Sequence, residues 1–468
     1  MGYWQRTFDR MFKRDPNAIS SNGLTRLQNA IYQNDLSRVR SLLKLGADPN
    51  YYKSSKNSHS PLAIAVYKRR IRAVSVLLSA KALPNQHFAG YSLLSFAVQK
   101  GHIGIIRSLL ENGAKPNFQD EWTKQTPAFH VQDDDRYLVG HLLKYGLNID
   151  HVDRHGQTAL YTAIHDKRFN VALELLKKSA NPNITPQNKP EAISLALENI
   201  QDMTDPCWEV AYNLVRAGAN SNCVNDEKQS LFHLAVLFED LDKMNYYKGV
   251  SRSVHAIDRD GNTPLHTALV STNKDVISCV INTYNHLPKQ VNRSGECIMK
   301  VLSNMSYYKY PDEDALAIIS MMLGAGADPN VKNDDGYTLL HYAVKAQNIP
   351  FIKALLKHGA DPKINMPNQN SVLKLAIDHQ NLDMVDILLD YGANPNHKTE
   401  NGWTLLDNLA KQGDRSSPIV QRLISGGGQY HKQLPANEHL YTPQPKKIRV
   451  DPLPIKKQPN KKPPPPKV

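Results

Sequence analysis

Eighteen histidines and four cysteines are the side chains of this 468-residue sequence that can act as metal ligands, bases or nucleophiles near neutral pH. Their spacing argues against most of that chemistry. Cys207, Cys223, Cys279 and Cys297 are dispersed and form no C-x-x-C pair, which excludes a zinc module and a disulfide framework and fits a reducing compartment. No H-E-x-x-H occurs, and the run Gly426-Gly427-Gly428 is followed by Gln429 rather than Lys-Ser/Thr, so neither a metalloprotease helix nor a phosphate cradle is legible. No catalytic residue, metal site or cofactor is therefore expected. Cys207 and Cys297 lie in irregular stretches with no neighbouring base, which leaves a Cys-dependent enzyme as the least favoured reading.

Three of the histidines share a context that points to architecture instead. They stand in Ser230-Leu231-Phe232-His233-Leu234-Ala235, Thr263-Pro264-Leu265-His266-Thr267-Ala268 and Thr338-Leu339-Leu340-His341-Tyr342-Ala343. A second phrase recurs as Gly46-Ala47-Asp48-Pro49-Asn50, Gly113-Ala114-Lys115-Pro116-Asn117, Gly326-Ala327-Asp328-Pro329-Asn330 and Gly392-Ala393-Asn394-Pro395-Asn396. Degenerate copies lie between them, spaced 32 to 39 residues apart. One unit explains the pattern. Thr338 can cap a first helix with its hydroxyl. Leu340 and Ala343 face its neighbours, and Phe351, Ile352, Leu355 and Leu356 form the apolar stripe of a second helix. Gly359 supplies a left-handed stop, and Ala360-Asp361-Pro362 begins an extended arm.

A period near 33 residues carrying T-P-L-H-x-A resembles the ankyrin repeat over residues 23–428. The resemblance implies an all-α repeat solenoid of about twelve stacked helix-turn-helix units joined by hairpins. One such unit cannot bury its own apolar face, so neighbours must stack. It also implies that the histidine of T-P-L-H is structural, tying adjacent hairpins through backbone hydrogen bonds. The fourth unit departs from the pattern with Val131 at the alanine position, and the ninth has Leu302 there. Units six and nine carry insertions near 199–206 and 303–313, the latter with Tyr307, Tyr308 and Tyr310 as contact residues of a loop. Ankyrin geometry places Tyr91, Phe96, Tyr337, Tyr342 and Trp403 on the concave face formed by hairpin tips and first helices, where exposed aromatics would anchor a protein partner. Ankyrin repeats in animal cells resemble substrates of an asparaginyl hydroxylase when Leu precedes Asn by eight residues, which marks Asn50 and Asn396 for hydroxylation.

The flanks differ from the repeats. Residues 1–22 read as an amphipathic capping helix, with Tyr3, Trp4, Phe8, Met11 and Phe12 opposite basic residues. Contact of that helix with a membrane surface is the competing reading. Residues 429–468 hold ten prolines and nine Lys/Arg against two acidic residues, the composition of a disordered basic tail. Within it, Lys446, Lys447 and Arg449 resemble a nuclear import signal, which would make an importin a partner. This tail carries +7 of the chain's net charge of +13, and residues 23–428 carry only +4. Nucleic-acid contact is therefore expected only through the tail. No apolar run approaches the ~18 residues of a membrane span.

The reading is a monomeric, non-catalytic scaffold that binds a protein partner. Its alternative is a nuclear or chromatin-associated adaptor whose tail contacts nucleic acid. The hairpin style, degenerate units and basic tail together resemble ankyrin effectors that intracellular bacteria inject into host cells. That resemblance implies a cytosolic or nuclear destination in a host, reached without a signal peptide.

Overall fold

The computed structural model of the chain describes residues 15–51, 59–284 and 313–431, apart from residues 199, 201, 203, 272, 334, 367 and 368. The amino-terminal capping helix, the tyrosine-bearing insertion and nearly all of the basic tail lie outside the described residues. The fold is an α-helical repeat stack with little sheet, and the chain divides into two units, Met1–Thr283 with Asn292–Ser294 and Tyr284–Val291 with Gly295–Val468.

The tenth repeat, in the second unit, shows why this sequence folds as it does. Thr338 is extended and caps the helix Leu339–Lys345, which buries Leu339, Leu340, Tyr342, Ala343 and Val344. A seven-residue helix that is apolar on nearly every side must be covered by its neighbours. The second helix, Ile349–Lys357, begins at Asn348, whose Oδ1 accepts the Phe351 N–H at 3.0 Å. It buries the stripe Phe351, Ile352, Leu355 and Leu356 and leaves Lys353 and Lys357 exposed. Gly359 then turns left-handed at φ 90°, and the Ala360 N–H returns to the Leu355 carbonyl at 3.0 Å. That bond closes the helix in a Schellman motif. Asp361 Oδ1 accepts the Lys363 N–H at 2.8 Å and so bends the chain into the extended arm. The glycine, alanine and aspartate of the recurrent phrase thus each have a local task.

In the first unit the first helices stack on one another, Arg26–Tyr32 on Pro61–Tyr67 and Leu231–Leu237 on Pro264–Ser271. The second helices form the other layer, with Ile71–Ser79 packed against Leu36–Lys44 and Ile103–Glu111. Buried Leu, Ile, Val and Ala side chains fill the space between the layers. At a contribution of about 25 cal/mol per Å² of apolar surface removed from water, this shared core dominates stability. Among the described residues, no helix is long and apolar enough to cross a membrane.

The fourth repeat departs furthest from the pattern. Its first helix is replaced by two 3₁₀ turns, Pro127–His130 and Asp133–Asp135, before the helix Leu138–Lys144. Val131 at the alanine position is nonetheless fully buried. Arg168 of the next repeat donates from Nη1 to the carbonyls of Phe129 and Val131 at 2.8 and 2.7 Å, satisfying groups that a lost helix leaves open. In the sixth repeat the helices Ala192–Glu198 and Pro206–Arg216 are parted by residues 199–205, so Pro206 opens the second helix and does not belong to the insertion.

Candidate functional site

Two histidines of the T-P-L-H slot, His233 and His341, are clamps between repeats. His341 Nδ1 accepts the Thr338 N–H at 2.8 Å, and its Nε2 lies 3.0 Å from the Ile364 carbonyl in the following hairpin. A carbonyl only accepts, so Nε2 carries the proton and the ring is neutral. His233 repeats the arrangement with the Ser230 N–H at 3.3 Å and the Asn262 carbonyl at 3.1 Å. Burial drives the His341 pKa down to about 4, partly opposed by the Ile364 carbonyl, and lowers His233 for the same reason. Neither ring is placed for proton transfer to a substrate.

The hairpin asparagines form a second clasp. Asn330 Nδ2 donates to the Gly359 carbonyl at 3.1 Å, while its Oδ1 accepts the Asp361 N–H at 2.7 Å. Asn50 does the same toward Lys81 and Leu83, Asn117 toward Gly146 and Asn148, and Asn396 toward Gly427 and Gln429. Both amide atoms of Asn50 and Asn396, the residues marked for hydroxylation, are thereby engaged with the following turn.

The five aromatics assigned to the partner face divide into two groups. Tyr91, Tyr337 and Trp403 are half-buried, each directly preceding a helix N-cap. Phe96 and Tyr342 are buried instead, at 8% and 9% exposure, which corrects the expectation that they present open rings. The causes are specific. Phe96 packs edge-on against Phe88 at 5.2 Å and lies 6.2 Å from Tyr67. Tyr342 turns its hydroxyl inward to accept the Asn333 Nδ2–H at 2.7 Å. Tyr337 packs beside it with ring centroids 5.8 Å apart, and Lys411 sits over the Trp403 ring at 4.6 Å. Two open clefts lie between successive hairpin tips of this unit. One is bounded by Lys332, Asp335, Ile364, Met366 and Gln369, the next by Lys363, Asn365, Asn394, Pro395 and His397.

Cys207 does not lie in an irregular stretch but in the first turn of Pro206–Arg216, 1% exposed. Burial, with Asp205 beside it, pushes its thiol up to about 12, which holds it protonated at neutral pH and disfavours a nucleophilic role. Cys297 lies outside the described residues. Among the described residues, no group of three His, Cys, Asp or Glu stands close enough to hold a metal ion.

Sequence reasoning missed the aromatic residues that end successive first helices. Tyr32 and Tyr67 are 35 residues apart, and Lys68 reaches both rings at 5.3 and 5.1 Å. Aligning the repeats on their N-caps gives both the same position, a signal that was available.

The family model for ankyrin repeats matches residues 94–186 and 310–399. An E3 ubiquitin-protein ligase of Arabidopsis thaliana is 26% identical over 46% of this chain and 13% of that protein. An ankyrin repeat protein of Acanthamoeba polyphaga mimivirus is 21% identical over 54% of this chain and 32% of that protein. The chain thus spans about a third or less of the length of these two relatives. A crystal structure of an ankyrin repeat domain from Acinetobacter baumannii aligns at 22% identity and a TM-score of 0.35, covering 42% of this chain and 98% of that one. Residues 94–186 and 310–399 match ankyrin repeats, a module of protein–protein interaction, and the paired-helix geometry of the described residues agrees with that match.

Proposed function

We propose that the chain binds a partner protein through the surface of its hairpin tips and first helices, with Tyr337 and Trp403 as anchors in the second unit. One observation carries this reading. The two half-buried rings occupy the same position of the repeat, directly before the N-caps Thr338 and Thr404. The stack is held by other residues, the histidine and asparagine clasps, so this position varies from repeat to repeat (Tyr337, Asn370, Trp403) while the unit keeps its form. Large rigid rings of this kind dominate the energy of protein interfaces. Affinity capture from a cell lysate tests the reading. A partner retained by the wild type and lost by Tyr337→Ala with Trp403→Ala supports it, and one retained equally by both sinks it.

The basic tail supports a second element of this reading, an address for nuclear import through Lys446, Lys447 and Arg449. Fusing residues 440–468 to a fluorescent reporter tests it. A diffuse signal, unchanged by Lys446→Ala with Lys447→Ala, ends that idea.

A further inference from the structure

The near-neutral charge of the repeat region is a cancellation. Residues 23–111 hold thirteen Lys/Arg against three Asp/Glu, a net +10, whereas residues 112–428 hold 31 against 37, a net −6. Among the described residues, no ion pair involves a Lys or Arg between positions 26 and 107.

Part of this charge lies along one edge of the first unit, where each first helix turns into the second. Lys68, Arg69 and Arg70 link Pro61–Tyr67 to Ile71–Ser79, and Lys100, Gly101 and His102 link Leu93–Gln99 to Ile103–Glu111. The charges of Arg69 and Lys100 add to burial in lowering His102, so both cations act on the same turn. The one carboxylate at the corresponding turn of the first repeat, Asp35, is engaged in capping the Arg38 N–H at 2.9 Å. Apolar surface is interleaved with the cations: Tyr32, Tyr67 and Ile71 remain 39%, 48% and 45% exposed. The edge ends at the fourth repeat, whose turn carries Asp133, Asp134 and Asp135.

We propose that this edge, with Lys68, Arg69 and Lys100 set among Tyr32, Tyr67 and Ile71, docks an acidic segment of a partner protein that also carries apolar side chains. Charge complementarity selects the sign of the partner. Ring geometry favours a protein over a nucleic acid. On this edge the Lys68 ammonium stands 5.3 and 5.1 Å from the Tyr32 and Tyr67 ring centroids and competes with a stacking base, and Phe88 and Phe96 are buried. This docking edge is separate from the hairpin tips and does not depend on the reading given to Tyr337 and Trp403.

Fluorescence anisotropy of the full chain with a labelled peptide of Glu and Asp interspersed with Leu and Tyr tests the proposal. Lys68→Glu with Arg69→Glu and Lys100→Glu raises Kd by about tenfold or more. The same number of reversals in the tail, at Lys456, Lys457 and Lys461, changes it by less than about twofold. Ile71→Ser weakens binding at constant charge. Circular dichroism melts report that the exposed substitutions leave the fold intact. A larger loss from the tail reversals, an unchanged Kd after the edge reversals, or tighter binding of a single-stranded DNA of equal charge overturns it.

Discussion

Asn330 and Gly359, 29 residues apart, are joined by a hydrogen bond from the asparagine side-chain amide to the carbonyl of the glycine that ends the next helix pair. The same side chain accepts the Asp361 N–H, so one residue satisfies an orphan carbonyl and an orphan amide of its neighbour. Asn330→Ala removes both bonds at once. Losing two such bonds lowers unfolding free energy by roughly 1–3 kcal/mol. A urea titration followed by circular dichroism measures this, and a midpoint equal to that of the wild type contradicts the clasp.

His341 makes stability depend on pH. In the folded chain it stays neutral down to about pH 4, while in the unfolded chain it takes a proton below about 6.5. Between those values the unfolded state binds more protons, so stability is fully present above about pH 6.5 and falls as pH drops toward 4. The slope is at most about 1.4 kcal/mol per pH unit for each such histidine. Urea midpoints measured at pH 7.5, 5.5 and 4.5 decline for the wild type, and the decline is shallower in His341→Gln.

Ser179 holds a left-handed backbone at φ 65°, where sister repeats place glycine. Ser179→Gly relieves the clash of Cβ with the following peptide and stabilises by about 1 kcal/mol. Gly359→Ala, at φ 90°, destabilises by a similar amount. Thermal melts of the two variants shift in opposite directions, and shifts of the same sign refute the assignment.

Cys207 reacts with a maleimide at pH 7.5 only through opening of its helix, because its thiol is buried and protonated. Its labelling rate, followed by mass spectrometry, rises steeply in sub-denaturing urea. Rapid labelling in buffer alone would restore it as a candidate nucleophile.

The repeat was legible because each local rule leaves a residue behind. The left-handed stop needs glycine at 359, the bend needs a side-chain acceptor at 361, and the clamp needs an imidazole three residues after the cap at 338. The partner-facing side chains were only half legible. A periodic position fixes which way a Cβ points but not which neighbour covers the ring. Tyr342 is buried by Asn333, and Phe96 by Phe88 and Tyr67 from its own and the preceding repeat. The charged edge escaped notice for a related reason. Net charge was summed over the whole repeat region, and the excess between Arg26 and Arg107 was cancelled by carboxylates further along the chain.

The most direct test of the binding surface is site-specific photocrosslinking. A benzophenone amino acid is placed in turn at Tyr337, at Trp403, and at Lys353 on the exposed side of the second helix. The account predicts that positions 337 and 403 crosslink the same protein from a cell lysate and that position 353 does not. Adducts from position 353 alone, or the same adduct with equal yield from all three, would contradict it.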